Sequence, residues 1–360
     1  MKIVSLFCGA GGLDLGFKQA GFDIIWANDF DKNSTITYAQ NFGDHVVHGD
    51  ISKISSDSIP DCDGVIGGPP CQGFSVAGRM NPNDPRSKLV WEFIRVVKDK
   101  KPKFFVMENV PNLVINEKFA SLRECIIQEF ESLGYNVAVD ILNSKDYGAP
   151  QARERAIFIG TSKKLPIIPE VLYPEKTSQE LSVREALLKV PYEVRISKGF
   201  CNAKIVPAKS PVLRKSPYAG MLFNGQGRPL DIEKPSLTLT ASMGGYKTPF
   251  IDELHLNGES AECWVKGYHE NLMKGKEPVT EAPKYLRRIT VIEAMILQSF
   301  PLSHKLYGSQ CSQYKQIGNS VPPKMSRAIA ESILKNFEDQ NIFTDLKRVP
   351  PKHHEQLAFV

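Results

Sequence analysis

The chain has 360 residues, of which 42% are apolar and 24% charged, and its formal net charge is +5. It is long enough for one large domain and a smaller one, and too apolar to be disordered as a whole. Its seven cysteines form no Cys-x-x-Cys pair and no Cys/His metal spacing, which argues against a disulfide framework and a zinc site.

The amino-terminal segment has no signal-peptide pattern, because residues 2–7 run straight into glycines. No apolar run reaches membrane-spanning length. We therefore expect a cytoplasmic protein that binds no membrane.

The first segment has the pattern of a strand, a glycine loop and a helix. The strand is Lys2–Phe7, the loop spans residues 8–12, and the helix Leu13–Ala20 ends at Gly21. The spacing departs from the dinucleotide fingerprint Gly-x-Gly-x-x-Gly, since Asp14 stands at the third glycine position. The loop therefore favours an adenosine ligand without a pyrophosphate, bound by N–H groups at the start of the helix.

Two further strands end in a carboxylate. The strand Asp23–Ala27 is followed by Asp29 and Phe30, and a short strand near residues 45–48 is followed by Asp50. Asp29 stands 20 residues beyond the first loop glycine, a distance typical of a carboxylate that binds ribose hydroxyls, and Phe30 can cover an adenine face. Each acid alone is more often a helix N-cap, but together they predict a nucleoside-type cofactor.

A loop with one cysteine follows the apolar run at residues 64–66. Glycines before the cysteine permit close backbone approach to a ligand, and Pro69 and Pro70 stiffen the loop. Cys71 is therefore a candidate nucleophile, and a buried free cysteine is the alternative. Residues 77–84 are predicted to form a mobile, lid-like stretch.

The remaining pattern up to residue 160 alternates helices and strands. A strand at residues 103–107 ends at Glu108, which can face the same crevice as Cys71. Arg153 and Arg155 lie two apart on a predicted strand and should point the same way, either to hold acids or to serve a site. The alternation predicts an α/β fold with a Rossmann-like, mostly parallel sheet and helices on both faces.

The alternating pattern of helices and strands ends after residue 163, where short, loop-rich segments begin. Residues 161–290 contain 20 Lys and Arg against 14 Asp and Glu, whereas the rest of the chain contains 25 against 26. Residues 194–230 contain seven Lys and Arg and no acid. This segment predicts a surface for a polyanion, with a solvated loop face as the alternative. Farther on, Thr290 and Glu293 have the spacing of a capping box.

Six stretches, taken in order, resemble the DNA (cytosine-5) methyltransferase family of prokaryotic restriction-modification systems. The resemblance covers residues 3–160 and 287–334. Two positions differ, because the family commonly has glutamate in place of Asp29 and often tryptophan in place of Phe30, and both changes keep the chemistry. The matching stretches are residues 7–12, 68–73, 108–110, 151–155, 298–301 and 318–321.

This resemblance implies transfer of a methyl group to carbon 5 of cytosine in a specific duplex sequence. The family first adds a thiolate to carbon 6, and Cys71 matches that nucleophile. Glu108, when protonated, matches the donor to ring nitrogen 3, and Arg155, with Arg153, would bind the 2-carbonyl. Because both faces and the edge of the base must be reached, the cytosine has to leave the duplex.

The resemblance also implies S-adenosylmethionine as cofactor, S-adenosylhomocysteine as product, and no metal. The expected partner is double-stranded DNA, bound by a monomer that shares its target with a companion restriction endonuclease. The positions that match cofactor contacts are Phe7, Gly9, Gly11, Gly12, Leu13, Asp29, Phe30, Asp50, Ile51, Pro70, Leu89, Asn319, Ser320 and Val321. The candidates for DNA contacts are Gln72, Ser75, Arg195, Arg214, Lys215, Arg228, Thr238 and Leu239.

The expected organisation has two domains. Residues 1–180, completed by 305–340, form the catalytic and cofactor-binding domain. Residues 181–304 form a smaller, loop-rich target-recognition domain with its hinge, and residues 341–360 form a tail.

Three other functions fit parts of the sequence. Methylation of cytosine in RNA is disfavoured by the large basic region, and a catalytically silent DNA-binding relative is disfavoured by intact Cys71, Glu108 and Arg155. A nicotinamide-dependent oxidoreductase is disfavoured by the missing third glycine. Assays on both nucleic acids, and any methyl transfer at all, would discriminate among them.

Overall fold

The computed structural model of the protein describes residues 1–70, 88–177 and 180–340. Within these residues the chain forms two compact units. The first unit contains residues 1–70, 88–147, 154–177 and 320–340, and the second contains residues 148–153 and 180–319. This division differs from the expected one in three places, because residues 148–153, residue 180 and residues 305–319 group with the second unit.

The first unit is built on a seven-stranded sheet, as far as the described residues go. Its order is β3-β2-β1-β4-β5-β8-β6, and β8 runs antiparallel to both of its neighbours while the other pairings are parallel. The predicted mostly parallel sheet is thus confirmed. The strands are β1 (Lys2–Leu6), β2 (Asp23–Asp29), β3 (Val46–His48), β4 (Gly64–Gly67), β5 (Phe104–Asn109), β6 (Tyr135–Asn143) and β8 (Glu154–Ser162), with β7 (Gln151–Ala152) in the second unit.

Helices cover both faces of this sheet. Alternation along β5 sends Phe105 into one apolar cluster, with Phe93 and Phe130, and Val106 into another, with Phe17 and Ile333. Each of these side chains is fully buried, so the two clusters hold the strand ends at fixed positions. The helices of this unit are α1 (Gly12–Gln19), α2 (Lys32–Phe42), α3 (Lys88–Lys100), α4 (Asn112–Ile115), α5 (Ala120–Ser132) and α12 (Pro323–Asp339).

The second unit consists of short elements joined by loops. Its strands pair two by two, and an apolar cluster around Phe223, Phe250 and Tyr268 forms its core. The elements after β7 are α6 (Val183–Leu188), α7 (Tyr192–Arg195), β9 (Pro207–Val212), β10 (Met221–Phe223), β11 (Ser236–Leu237), β12 (Phe250–Asp252), α8 (Glu253–Leu256), α9 (Trp264–Met273), β13 (Leu286–Arg288), α10 (Val291–Leu297) and α11 (Gln310–Asn319).

None of the helices in the described part of the chain combines the length and the apolar character needed to cross a bilayer.

Candidate active site

The glycine loop after β1 is open on one side and packed on the other. Gly9 and Gly11 have φ of 54° and 80°, in the left-handed region that glycine tolerates. A Cβ at Gly11 would lie 2.3 Å from the Phe42 ring, whereas a Cβ at Gly9 would meet no atom within 4 Å. A ligand can therefore approach the backbone at Gly9. Phe7 also has a positive φ, 55°, which is strained for a bulky residue.

Asp29, at the end of β2, is bonded directly to this loop. Its carboxylate accepts hydrogen bonds from the backbone N–H of Gly9, at 2.8 Å, and of Asp31, at 2.7 Å. Phe30 follows with its side chain 73% exposed, which is unusual for so large an apolar group. The structure thus brings together Gly9, Asp29 and an exposed aromatic ring, three of the predicted cofactor residues.

Asp50 has the capping role that its sequence context favoured. Its carboxylate accepts from the N–H and the hydroxyl of Ser52, at 3.1 and 2.8 Å, and caps the turn Ile51–Lys53. These hydrogen bonds lower the pKa of the Asp50 carboxyl. Of the other predicted cofactor residues in this unit, Gly12, Leu13, Ile51, Ser320 and Val321 are buried, and Pro70 and Leu89 are half-buried.

A buried carboxylate that the sequence reasoning did not assign to a site lies under the glycine loop. Asp14, in the first turn of α1, is fully buried and accepts a hydrogen bond of 2.8 Å from the Tyr38 hydroxyl. Burial raises the pKa of Asp14 to about 6. The sequence signal was its place at the third position of the glycine fingerprint, where a helix start tolerates an acid.

Glu108 and Arg155 form an ion pair where β5 ends and β8 begins. Arg155 Nε lies 2.6 Å from Glu108 Oε1, and each side chain is 13% exposed. The other oxygen, Oε2, lies against Gly68, where an added Cβ would be only 2.9 Å away. Gly68 therefore leaves room for the carboxylate beside the loop that leads to residue 71. That Glu108 can face the same crevice as Cys71 remains a prediction, because Cys71 lies outside the described residues.

Asn109 holds the same loop and was not singled out from sequence. Its side chain is buried, donates a hydrogen bond of 3.4 Å to the Pro69 carbonyl, and accepts one of 2.9 Å from Val110 N–H. The two residues after Met107 thus lie against Gly68 and Pro69, which precede Cys71 in the chain. Cys71, Gln72 and Ser75, as well as the predicted lid-like stretch, lie outside the described residues.

Arg153 does not share the surroundings of Arg155, and the prediction that both lie on one strand is wrong. The strand is interrupted at Arg153, between β7 and β8. Arg153 is 1% exposed and donates to the carbonyls of Leu239, at 2.9 Å, and Gly318, at 2.8 Å, all within the second unit. A side chain enclosed in this way stabilises the fold and does not contact a DNA base.

Two candidate DNA contacts also prove to be buried. Arg195 is 2% exposed and pairs with Glu293 at 2.9 Å, and Leu239 is fully buried, so neither reaches a nucleic acid. The pattern of an acid-free basic segment cannot show that one of its cations pairs with a distant carboxylate.

The remaining candidate DNA contacts in the second unit differ in exposure and in the hydrogen bonds that they make. Arg214 and Lys215 are exposed. Arg228 is half-buried and donates to the carbonyls of Ala219 and Gly220, and Thr238 is exposed but donates its hydroxyl to the Ala152 carbonyl at 3.1 Å. Asn319 is exposed at the end of α11. Arg214 and Lys215 are thus the candidates whose exposure best suits a phosphate contact.

Within the described ranges, no group of three or more His, Cys, Asp or Glu side chains is arranged to hold a metal ion.

Comparison with known proteins agrees with this geometry. The family described as C-5 cytosine-specific DNA methylase matches residues 1–335. The Type II methyltransferase M.FnuDI of Fusobacterium nucleatum is 36% identical over 348 residues, which cover 94% of this chain and 96% of that protein. M.NgoPII of Neisseria gonorrhoeae, also a Type II methyltransferase, is 33% identical over 346 residues, with 94% and 96% covered.

A solved structure shows the same fold. The Dnmt2 methyltransferase of S. pombe superposes with a TM-score of 0.65 at 19% identity, over 95% of this chain and 99% of that one. The resemblance inferred from the six sequence stretches is confirmed by the family match over most of the chain. This protein belongs to the C-5 cytosine-specific DNA methylase family and is an enzyme that methylates cytosine in DNA.

Proposed function

We propose that the chain transfers a methyl group from S-adenosylmethionine to carbon 5 of a flipped-out cytosine, through a covalent bond between Cys71 and carbon 6. The observation that carries this proposal is the Glu108–Arg155 pair, which lies beside the stiff loop leading to Cys71. A charge pair of this kind at the end of a sheet strand is placed to act on a planar, polar base.

The chemistry assigns a separate task to each side chain. Cys71 Sγ bonds to carbon 6, and the electrons of the ring shift toward carbon 5 and nitrogen 3. Glu108 donates a hydrogen bond from Oε2 to nitrogen 3, since Oε1 is already bound by Arg155. Arg155 also binds the 2-carbonyl and so fixes the plane of the base. Once carbon 5 carries the methyl group, its proton is lost to a base, the carbon 5–carbon 6 double bond re-forms, and the sulfur–carbon bond breaks to release Cys71 as the thiolate.

The residues around the glycine loop suit the proposed cofactor. S-adenosylmethionine, when bound, supplies an electrophilic methyl group. The open backbone at Gly9 would accept its amino-acid end, Asp29 would bind ribose hydroxyls, and the exposed ring of Phe30 would cover the adenine. Asp50 and Ile51, at the next strand end, would contact the base of the nucleoside.

The proposal requires the cytosine to leave the helix, at a cost of about a few kcal/mol in lost stacking and pairing. Contacts between the second unit and DNA would supply that free energy, with Arg214 and Lys215 as exposed cations. One chain carries every catalytic residue that the proposal needs, so we expect it to act as a monomer. The Type II designation of its relatives supports a protective role against a companion restriction endonuclease.

A trapping experiment tests this proposal. Duplex DNA that contains 5-fluorocytosine at the target should form a denaturation-resistant adduct with the protein and S-adenosylmethionine, because fluorine cannot leave as a proton does. Cys71→Ser should abolish both the adduct and methyl transfer while DNA binding persists. An adduct mapped by mass spectrometry to a residue other than Cys71, or substantial turnover by the variant, would contradict the proposal.

A further inference from the structure

Residues 150–153 and 236–239 of the second unit are joined along their length. β7 and β11 pair in parallel, with Gln151 opposite Ser236 and Ala152 opposite Leu237. The backbone N–H of Ser236 also donates to the Pro150 carbonyl at 2.9 Å. Thr238 adds a side-chain hydrogen bond to the Ala152 carbonyl. We call the first of these two stretches, residues 150–153, the clasp.

Two buried side chains of the clasp extend this pairing beyond the strands. Gln151 accepts a hydrogen bond of 3.0 Å from Leu239 N–H, and its amide donates to the Leu297 carbonyl at 3.3 Å. Arg153 binds the Leu239 carbonyl on one side and the Gly318 carbonyl on the other. The backbone of Leu239 is therefore held at both its N–H and its carbonyl.

The far end of this arrangement is also closely packed. A Cβ at Gly318 would lie 2.4 Å from the carbonyl carbon and oxygen of Thr240, so the chain after Leu239 touches the end of α11. Arg153 thus joins three backbone segments of the second unit: its own, residues 236–240, and the end of α11. A guanidinium with several fixed donors can hold such a junction, whereas a single-donor side chain cannot.

The clasp ends where the chain passes from the second unit to the first. Arg153 is the last clasp residue, Glu154 begins β8, and Arg155 forms the 2.6 Å pair with Glu108. A single residue therefore separates a side chain fixed in the second unit from the arginine that binds the catalytic acid.

We infer that Arg153 is a positioning residue, which aligns Arg155 and Glu108 with the base only while residues 236–239 are seated in the clasp. The inference rests on the proposed function, in which Glu108 and Arg155 act on the cytosine. Because a misplacement of about 1 Å at reacting groups can cost about 10²-fold in rate, loss of this anchor should slow the chemical step. The binding of S-adenosylmethionine, at strand ends elsewhere in the first unit, should change little.

The test distinguishes a positioning role from a folding defect by measuring how many enzyme molecules can form the covalent adduct. Full-length wild type and Arg153→Met are incubated to completion with 5-fluorocytosine duplex and S-adenosylmethionine, and the trapped fraction is measured. Turnover on ordinary duplex is then expressed per trapped molecule. For Arg153→Met we expect kcat per competent molecule to fall at least about tenfold, while KM for S-adenosylmethionine changes less than about twofold. Arg153→Lys, which keeps the charge and has three N–H donors on one nitrogen, should recover part of the lost kcat.

Arg288→Met is the matched control. Arg288 is also a buried arginine of the second unit, 2% exposed, and it binds the backbone carbonyls of Ala203, Lys204 and Thr248. Its loss should reduce the trapped fraction but leave kcat per competent molecule unchanged.

The outcomes distinguish the inference from the proposed function. Wild-type kcat per competent molecule in Arg153→Met would overturn the inference and leave Arg153 a purely structural residue. If Arg153→Met does not fold, the same measurement on Arg153→Lys decides, because a positioning role predicts reduced kcat with normal trapping. Failure of the wild type to form any adduct would overturn the proposed function, and the inference with it.

Discussion

Two arginine–carboxylate clusters, one in each unit, use the same chemical groups for different purposes. In the first unit Arg155 pairs with Glu108, and both side chains retain 13% exposure. In the second unit Glu293, fully buried, is bound by Arg195 at 2.9 Å and by Arg287 at 2.8 Å. The two clusters differ in exposure and in how the carboxylate is used. Glu108 Oε2 lies beside Gly68, whereas both oxygens of Glu293 accept hydrogen bonds from arginines.

The buried cluster connects several elements of the second unit. Arg287, in β13, also binds Glu253 at 2.8 Å, and Glu293 closes the capping box of α10 with Thr290. The hydroxyl of Thr290 donates to the carbonyl of Arg195. Buried charges cost free energy to desolvate, and this cost is offset only if each is paired and hydrogen-bonded, as here.

The largest effect is expected from breaking the buried cluster. Glu293→Gln leaves the buried Arg195 guanidinium without its carboxylate and leaves Arg287 paired with Glu253 alone, which should destabilise the protein by about 3–5 kcal/mol. Urea unfolding measures the change, and hydrogen exchange of the α10 amides gives its location. Catalysis per competent molecule should be preserved.

A surface pair provides the control for this prediction. Arg327 and Glu331 lie 2.7 Å apart with about half of each side chain exposed, so Glu331→Gln should cost less than about 1 kcal/mol. Equal losses of stability in the two variants would mean that burial does not distinguish the clusters.

Breaking the Glu108–Arg155 pair should instead affect the rate. Arg155→Met removes the cation that holds Glu108 Oε1, and loss of one preorganised donor typically costs about 10²–10³-fold in kcat. Transfer of a tritiated methyl group to duplex DNA measures it, with Arg327→Met as the control arginine. A normal rate in Arg155→Met would show that this pair, like the buried one, serves only the fold.

Asp14 is a third case in this comparison, because it is a buried carboxylate that accepts a hydrogen bond from a hydroxyl, that of Tyr38. Its pKa rises from 3.8 to about 6 on folding, so the folded protein binds the proton more tightly than the unfolded chain. The stabilisation from this proton is complete below pH 4 and is lost as the pH rises through 6. A shift of about two units corresponds to on the order of 3 kcal/mol.

Asp14→Asn should remove this dependence while keeping an oxygen for the Tyr38 hydroxyl. We expect the variant to gain stability relative to wild type between about pH 4 and pH 7, by on the order of 2–3 kcal/mol. Urea midpoints at several pH values measure the difference, since other groups titrate alike in both proteins. A difference that does not vary with pH would contradict the elevated pKa.

The sequence predicted most of the first unit because its elements follow local rules. The strands at residues 2–7 and 103–107 are apolar runs that end in glycine or an acid, and the structure places β1 and β5 there. The capping box at Thr290 and Glu293 was likewise readable from spacing and is present. In the loop-rich region, β11 has only two residues, and its partner β7 is equally short.

The roles of individual arginines could not be predicted in the same way. Arg153 and Arg195 lie in segments whose composition favours a binding site, yet each is buried against groups more than 80 positions away. The positions of charged residues along the sequence do not show which distant groups they will bind. They also do not show which side chains will be buried as a result. The strand end at Glu108 was predicted to within one residue, because an apolar run followed by an acid marks such an end in the sequence itself.

The smallest effect is expected at Asp29, a carboxylate whose partners are backbone N–H groups. Asp29→Ala removes the acceptor that holds Gly9 and, in the proposed complex, the contact to ribose. Binding of S-adenosylmethionine should weaken about tenfold, since a hydrogen bond to a charged group contributes about 1.5–3 kcal/mol and water replaces part of it.

Because ribose contacts are equal in the ground and transition states, kcat at saturating cofactor should fall less than about threefold. Calorimetry gives the dissociation constant, and Asp29→Asn, which keeps one acceptor for Gly9, should lie between the wild type and Asp29→Ala. The comparison with Glu108 then becomes quantitative: one strand-end carboxylate acts on affinity and the other on rate. An unchanged dissociation constant together with a large loss of kcat would reverse the two assignments.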